Sequence, residues 1–440
     1  MFALLLVLSL NSAFSLEAEI SYKKHDSRSR EFQPYGSSSL PKKLEKPEGD
    51  IKIPELNSEK PIFSEIQLGD TKRIIIVDMQ KKNDPFYNRL YYDANENLDL
   101  TDDKVLDAVA PQNMNRNYVN LEFLDIDATY KVDGKTLPYS FAVRVYCFFS
   151  SPSKKELTDQ VIQQNLNLNI RTKCSYNGKI KYKNNTYNFN LNDRNANGLF
   201  SDTANLNNPN FPPGYHRPLY SGGDKIYIKD GEKLNYNDEM IFPEKMMLAG
   251  DLFNLSVSIV EGKLSLEPYD GKLHPVKLPM DPERIAFIAK DNQDSICIYK
   301  SGSDFRLPGG EYKFYAYTIL EKDKMGDEWF LKAGATEDTS WYKIGESDET
   351  VNITMGEPYV PFVDVPQWSR QNLGRGTRQV NLNFNIRGAG QELISDFRRM
   401  SGTKTTTEMS SRYSYRPAEP KFTIAKADGS IVAKGNFEYG

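Results

Sequence analysis

The sequence predicts a mainly β protein, because three kinds of observation favour strands along most of its 440 residues. Tyr and Phe are abundant, at 26 and 23 residues, and aromatic side chains suit the half-buried surfaces of sheets. Apolar and polar residues alternate in short runs, as in 166–192, which is typical of strands with one buried face. Asn177-Gly178, Glu261-Gly262 and Asp428-Gly429 separate such runs and indicate hairpin turns.

The first fifteen residues predict a secretory signal peptide. The apolar run MFALLLVLSLNSAFS ends in Ala13-Phe14-Ser15, a small-x-small pattern typical of a cleavage site, although no Lys or Arg precedes the run. The run is too short to span a membrane as a mature helix, and no later stretch approaches the length of a membrane span. We therefore expect a mature chain that is secreted, periplasmic or at the cell surface, without a membrane span.

Three regions are expected after the signal peptide. Residues 16–60 are polar, contain Pro and Ser throughout and show little apolar periodicity, which predicts a disordered tail. Residues 61–280 combine strand patterns such as TKRIIIVDM with two loops rich in Asn and Asp, which predicts a β-rich region. Residues 281–440 carry short strands separated by turn residues, which predicts a C-terminal β-sandwich domain that begins near the sequence PMDPER.

Charge and cysteine content restrict the partners. The 56 basic and 60 acidic residues give a formal net charge of −4, and no long basic stripe is present, so nucleic acid is not an expected partner.

The spacings of Cys147, Cys174 and Cys297 match no zinc-binding pattern. An oxidising compartment would allow a disulfide between Cys147 and Cys174, and three buried thiols are the alternative.

Two loops have the spacing with which a chain wraps oxygen atoms around a hard cation. In LNDRNANGLFSD, counted from Asp193, Asp or Asn occupies positions one, three and five, Gly198 is sixth and the seventh residue offers its backbone carbonyl, as in calcium-binding loops. YDANENLDLTDD, about one hundred residues earlier, repeats this spacing with Leu98 in place of the glycine. The predicted calcium ligands are Asp193, Asn195, Asn197, the Leu199 carbonyl and Asp202 in the later loop, and Asp93, Asn95, Asn97, Asp99 and Asp102 in the earlier loop.

The ends of the two loops differ from those of a helix-loop-helix calcium site. Position twelve holds Lys104 in one loop and Ala204 in the other, where that site has a bidentate Glu. Flanking helices are therefore not expected, and the loops resemble those of extracellular calcium modules such as dockerins and thrombospondin type 3 repeats. The alternative is that the Asn and Asp side chains only form local turns through hydrogen bonds to the backbone.

At LYYDANENLDLTDDKV the chain resembles a group of uncharacterised secreted proteins of planctomycete-like bacteria. These proteins carry an LYxDxNxNxDLTDD segment, a DxNx(D/N)GxF loop and a GD strand, which correspond here to residues 90–103, 193–200 and 223–224. The segments LPGGEYKFY and GNFEYG are similar to the same group, so that the resemblance covers most of residues 60–440. It implies a β-rich exported protein and no known activity.

The sequence favours a protein without catalytic activity. The three His residues lie in no metalloprotease spacing, and no nucleophile elbow, P-loop or Rossmann fingerprint is present. We expect a calcium-stabilised structural or binding protein of the cell envelope or exterior, whose ligand is an unknown extracellular protein or glycan. A carbohydrate-binding module is one alternative, with Trp329, Trp341 and Trp368 as candidates for an exposed aromatic platform. A glycoside hydrolase or other secreted hydrolase is the second alternative, because the many carboxylates cannot be paired by sequence.

Overall fold

The structure is a computed structural model that describes residues 15–26, 29, 31–82, 84–108, 117–149, 156–204, 206, 218–219, 221–291, 294–375, 379–401, 409–410, 413 and 415–438. It is mainly β, which confirms the predicted fold class. All of the predicted signal peptide except Ser15 lies outside the described residues. In the part of the chain that is described, no helix is both long and apolar enough to cross a membrane.

The strands before residue 200 are β1 (Leu16–Lys24), β2 (Ser37–Ser39), β3 (Ile62–Leu68), β4 (Thr71–Asp78), β5 (Arg89–Tyr92), β6 (Leu106–Asp107), β7 (Tyr118–Val132), β8 (Lys135–Phe148), β9 (Leu166–Thr172), β10 (Cys174–Tyr182) and β11 (Asn185–Asn192). The later strands are β12 (Lys225–Asp230), β13 (Glu239–Ile241), β14 (Lys245–Leu248), β15 (Asp251–Ser258), β16 (Lys263–Pro268), β17 (Leu273–Lys277), β18 (Arg284–Ala289), β19 (Ser295–Tyr299), β20 (Asp304–Pro308), β21 (Gly310–Lys322), β22 (Glu328–Gly334), β23 (Tyr342–Ile344), β24 (Val351–Asn352), β25 (Val360–Asp364), β26 (Asn383–Arg387), β27 (Leu393–Ser401), β28 (Lys421–Ala425) and β29 (Ile431–Asn436). The helices are α1 (Asp159–Gln164) and α2 (Gln367–Gly374), and Tyr236–Asp238 form one 3-10 turn.

One large sheet organises the fold. Its strand order is β13-β12-β11-β10-β1-β16-β15-β14-β19-β18-β21-β22-β27-β26-β25, and β23 pairs with β21. Neighbouring strands along this path are antiparallel except for β14 and β19, which are parallel. The remaining strands form the sheets β2-β9-β8-β7, β3-β4-β5-β6 and β20-β17-β24 and the hairpin β28-β29. The largest apolar core joins the two four-stranded sheets to the first part of the large sheet, through residues such as Val77, Phe141 and Leu191.

The structure corrects the expectation of a disordered tail over residues 16–60. Leu16–Lys24 form β1, which lies inside the large sheet between β10 and β16. Ala18 and Ile20 are buried while Glu17 and Glu19 are exposed, which is the alternation of a half-buried strand. This short alternation is surrounded by polar sequence, and its burial depends on strands that lie far away in the chain. The disorder predicted from composition is therefore wrong for Leu16–Lys24.

The large sheet also continues across the predicted domain boundary near residue 280. β14 precedes this boundary and β19 follows it, and the two pair along Lys245–Leu248 and Ile296–Tyr299. The second apolar core likewise contains Met247 from before the boundary and Phe287 from after it. Across this core, Phe287 of the large sheet packs against Phe305 of the small sheet β20-β17-β24, with ring centroids 6.2 Å apart. The described strands after residue 281 therefore share both the large sheet and the small sheet with strands that precede the predicted boundary.

Two of the three predicted hairpin turns are found. Glu261-Gly262 connects β15 to β16, and Asp428-Gly429 connects β28 to β29. Asn177-Gly178 is not a turn, because β10 continues through it. A Cβ on Gly178 would lie 2.3 Å from Cζ of Phe189 and 2.7 Å from the Glu19 carbonyl oxygen. Gly178 therefore allows the close approach of a neighbouring ring and strand, which is the other common role of a strand glycine.

The three cysteines are free thiols, each of them buried. Burial raises the pKa of Cys147 to about 11, so this thiol stays protonated at neutral pH. The alternative of three buried thiols therefore describes this structure, and the cysteines pack as small apolar side chains.

Candidate cation-binding loops

The later loop begins where the antiparallel pair β11–β12 ends. Asn192 is the last residue of β11 and pairs with Lys225, the first residue of β12. The next step of the ladder places Asp193 opposite Asp224. The backbone N–H of Arg194 donates to Asp224 Oδ1 at 2.8 Å, so the opposite strand holds the start of the loop. Strand register thus brings together two carboxyl groups that are well separated in sequence.

The predicted ligands of the later loop converge on one carboxylate. The side-chain amides of Asn195 and Asn197 lie 2.8 and 2.7 Å from Oδ2 of Asp202. The amide oxygen of each Asn also accepts a backbone N–H two residues further on, which for Asn197 is that of Leu199, at 2.8 Å. The structure therefore brings Asn195, Asn197 and Asp202 together, and it also contains the Asx turns that the alternative interpretation predicts.

Asp193 is fully buried at the base of this loop. Its Oδ2 accepts the Tyr139 hydroxyl and the Gly198 N–H, both at 2.7 Å, and its Oδ1 accepts the Asn197 N–H at 3.1 Å. No cationic side chain of the described residues forms an ion pair with Asp193 or Asp224. Burial raises the pKa of both carboxyl groups, and the charge of Asp193 raises that of Asp224 further. A proton or a bound cation would compensate the charge of this pair.

The earlier loop is built on a strand pair in the same way. Leu90 of β5 pairs with Leu106 of β6, and the same register continued to the end of β5 places Asp93 opposite Asp103. The N–H of Ala94 donates to Asp103 Oδ1 at 3.2 Å, as the N–H of the corresponding Arg194 does to Asp224. Each loop therefore starts between two carboxylates that lie just beyond the ends of two paired strands.

The predicted ligands of the earlier loop converge less completely. The amides of Asn95 and Asn97 lie 3.4 and 2.9 Å from Oδ2 of Asp102, which repeats the arrangement around Asp202 in the later loop. Asp99 instead accepts a hydrogen bond from the Lys52 ammonium at 2.7 Å. Hydrogen bonds from Lys52 and Thr101 lower the pKa of Asp99 to about 2. Asp99 is therefore engaged with neighbours outside the predicted ligand set.

Two buried carboxylate oxygens of the earlier loop have no hydrogen-bond partner among the described residues. They are Oδ1 of Asp93, whose side chain is 1% exposed, and Oδ2 of Asp103. The nearby Arg73 is also buried, but its guanidinium donates to backbone carbonyls, including that of Asp93 at 3.0 Å, and pairs with Glu96. A buried acceptor without a donor is costly, and a cation is one way to satisfy it.

The backbone confirms that the two loops are copies of one structure. Glu96 and Ala196 hold φ values of 64° and 57°, and two residues later Leu98 and Gly198 hold 61° and 85°. These left-handed conformations turn the chain twice at the same points of both loops. The weak repeat in the sequence thus corresponds to a repeat in conformation.

Asp224 and Asp103 were not among the predicted ligands. Asp224 lies far from the later loop in sequence, and only the GD motif of the resemblance drew attention to it. In the structure both of its oxygens accept backbone N–H groups of the loop, from Arg194 and from Asp202. Asp224 is therefore a residue that positions the loop.

Two of the three Trp residues of the candidate aromatic platform contact neighbouring side chains through their rings. Trp329 stacks on Phe397, with ring centroids 5.0 Å apart and planes inclined by 23°, so each ring covers one face of the other. The Lys313 ammonium lies 4.9 Å from the ring of Trp341. Trp368 lies in α2, and its side chain is outside the described part of the structure. The carbohydrate-binding alternative stays a prediction.

Comparisons of the chain with protein-family models, with curated proteins and with solved structures gave no match. Within the described residues, no group of three or more His, Cys, Asp or Glu side chains is arranged to hold a metal ion. A cation in either loop would therefore depend on Asn and backbone oxygens in addition to carboxylates.

Proposed function

We propose that the chain is a secreted, calcium-stabilised structural or binding protein of the cell envelope or exterior, in which the two loops hold calcium as part of the scaffold. The observation that carries this proposal is the pair of buried oxygens without donors, on Asp93 and Asp103. The acid pair Asp193 and Asp224, which forms no ion pair with a cationic side chain of the described residues, supports the same interpretation for the later loop.

The chemistry of the side chains fits a hard cation. Calcium takes six to eight oxygen ligands and accepts carboxylates, amide oxygens, backbone carbonyls and water. In the later loop Asp193, Asn195, Asn197 and Asp202 offer side-chain oxygens, and Leu199 offers a carbonyl. The two Asn amides now direct N–H groups at Asp202. A half-turn of each amide would exchange its nitrogen for its oxygen and would give up the backbone hydrogen bond that this oxygen accepts.

The position of the loops favours a scaffold role over catalysis. Each loop begins at the end of a hydrogen-bonded strand pair, so a cation there would hold the ends of that pair together. Both oxygens of Asp224 are occupied by backbone N–H groups, which leaves them unsuited to proton transfer with a substrate. Extracellular calcium modules bind with dissociation constants of about 10⁻⁴–10⁻³ M. At millimolar calcium, a site of about 10⁻⁴ M would stabilise the fold by roughly 1.4 kcal/mol.

Thermal unfolding in EDTA, calcium and magnesium tests the proposal, together with calorimetric titration of calcium. We expect calcium at about 5 mM to raise the melting temperature, and magnesium to raise it less because it requires a tighter octahedral site. Asp93→Asn and Asp193→Asn should each remove part of this increase.

Asp428→Asn is the matched control for these variants. Asp428 accepts the Ser430 N–H at 2.9 Å in an ordinary Asx turn of the β28–β29 hairpin. Calcium should raise the melting temperature of Asp428→Asn as much as that of the unmodified protein. Identical melting curves in EDTA and calcium, with no heat of binding, would leave both loops as Asx turns and contradict the proposal.

A further inference from the structure

A cavity of about 160 Å³ lies in the large sheet beside strands β12, β13, β18, β21 and β22. Lys225, Arg284 and Lys332 contribute cations to its lining, and Glu239 contributes the carboxylate. Leu219, Ile285 and Ala333 are among its apolar walls. Neither Asp224 nor any residue of the later candidate loop lines this cavity, so the cavity is separate from that loop.

Two of the three cations have their charge balanced by neighbours. Arg284 donates to Asp238 Oδ1 at 2.8 Å. The Lys332 ammonium lies 3.5 Å from Oε1 of Glu239, whose other oxygen accepts the Tyr227 hydroxyl at 3.0 Å. Glu239 therefore already has partners for both of its oxygens.

Lys225 is the cation that remains without a hydrogen-bond acceptor or an ion-pair partner among the described residues. Its side chain is 7% exposed, and its ammonium lies 5.9 Å from the ring centroid of Tyr315. Burial lowers its pKa to about 8, so the ammonium form is still present at neutral pH. Burying an ammonium without an acceptor is costly, and proteins normally pair such a group. Two other lining residues each have a buried polar atom with no hydrogen-bond partner among the described residues, namely the hydroxyl of Thr318 and Nε of Arg284.

We propose that this cavity binds a small organic carboxylate, whose anionic group pairs with the Lys225 ammonium. The apolar walls would cover the carbon skeleton, and the Thr318 hydroxyl would be available to a second polar group of the ligand. A monoanion fits better than a phosphate dianion, because Glu239 lines the same cavity and would repel the second charge. A cavity of about this volume accommodates benzene in another protein, which sets the size of the ligand.

Benzoate is the probe for this proposal, and benzamide is its neutral counterpart of nearly equal size. We would titrate both, and inorganic phosphate, into the full chain by calorimetry in a buffer without carboxylates. We expect benzoate to bind with a dissociation constant of about 1 mM or lower. Benzamide should bind at least tenfold more weakly, because a hydrogen bond to a charged group contributes about one to two orders of magnitude in affinity. Phosphate should also bind at least tenfold more weakly, because Glu239 would repel its second charge.

Lys225→Met removes the charge and keeps the length of the side chain, so it should weaken benzoate binding by about tenfold to a hundredfold. Lys434→Met, at an exposed position of β29, is the matched control and should leave binding unchanged. Circular dichroism would confirm that both variants fold, and Lys225→Gln is the second variant if Lys225→Met does not. Three results would overturn the proposal: no binding of benzoate, equal binding of benzamide or phosphate, or equal binding of benzoate by the folded Lys225 variant.

Discussion

Leu98 and Gly198 occupy the same position in two copies of one loop and hold the same left-handed backbone conformation, with φ of 61° and 85°. Glycine adopts this conformation freely, whereas a residue with a Cβ adopts it at the cost of steric strain. Leu98 is 43% exposed, so its side chain recovers little of that cost by packing. The earlier loop therefore carries strain that the later loop avoids.

Leu98→Gly should stabilise the protein by about 0.5–1 kcal/mol. Relief of the left-handed conformation contributes about 1–2 kcal/mol, and the greater freedom of glycine in the unfolded chain offsets about half of it. Urea unfolding would measure the difference. Leu320→Gly is the control, because Leu320 is 40% exposed within β21 and has no positive φ. This control should destabilise the protein, and equal losses in both variants would show that Leu98 is not strained.

Gly198→Ala should destabilise the protein more than a similar change at an open glycine. A Cβ on Gly198 would lie 2.8 Å from a ring carbon of Tyr130, whose hydroxyl donates to the Gly198 carbonyl. Gly250 has a similar φ of 86°, but a Cβ added there would meet no atom within 4 Å. We expect a loss of about 2–4 kcal/mol at Gly198 and about 1 kcal/mol at Gly250, measured by urea unfolding. Equal losses would mean that contact with Tyr130 costs nothing.

Local sequence patterns predicted the strands and the two loops, because both depend on interactions between residues that are close in sequence. Alternation of apolar residues predicted the strands, and the spacing of Asp and Asn predicted two loops that share one conformation. The position of Gly198 also followed from the sharp turn that this spacing requires. These features depend on neighbours within a few residues, and one sequence contains that information.

The features that were missed depend on contacts between distant parts of the chain. β1 is a strand because β10 and β16 offer hydrogen bonds on both of its sides. Asp224 faces Asp193 only because of the register of β11 and β12, which no short motif encodes. Gly178 is explained by the ring of Phe189, although its dipeptide is the usual signature of a turn. In each case, contacts between strands that are distant in sequence determine the structure.

His25, directly after β1, should make the protein sensitive to acid. It is 2% exposed, and burial lowers its pKa to about 4, with the charges of Lys23 and Lys173 lowering it further. Because the folded state favours the neutral ring, its contribution is complete above the unfolded pKa of about 6.5 and is lost as the pH falls towards 4. The loss should be on the order of 2–3 kcal/mol.

His25→Gln should reduce this pH dependence, because Gln cannot be protonated and can still hydrogen-bond to Ser175, whose Oγ lies 2.9 Å from the ring nitrogen Nε2. Urea unfolding of both proteins at several pH values between about 4 and 7 measures the effect as the difference between the two curves. The remaining titratable groups affect the pH dependence of stability equally in both proteins. Parallel curves over this range would contradict the assignment of the acid sensitivity to His25.

Lys225→Met should stabilise the protein when no ligand is present. Lys225 is only 7% exposed and its ammonium forms no hydrogen bond or ion pair among the described residues, whereas Met fills a similar volume without a charge to desolvate. We expect a gain of about 1–2 kcal/mol in the free energy of unfolding at neutral pH, measured in urea without added carboxylates. Lys313→Met is the control, because Lys313 is equally buried but its ammonium donates to the carbonyls of Thr336 and Glu337. Losing those hydrogen bonds should destabilise the protein, so a loss of stability in both variants would show that the Lys225 ammonium has a partner in the free protein.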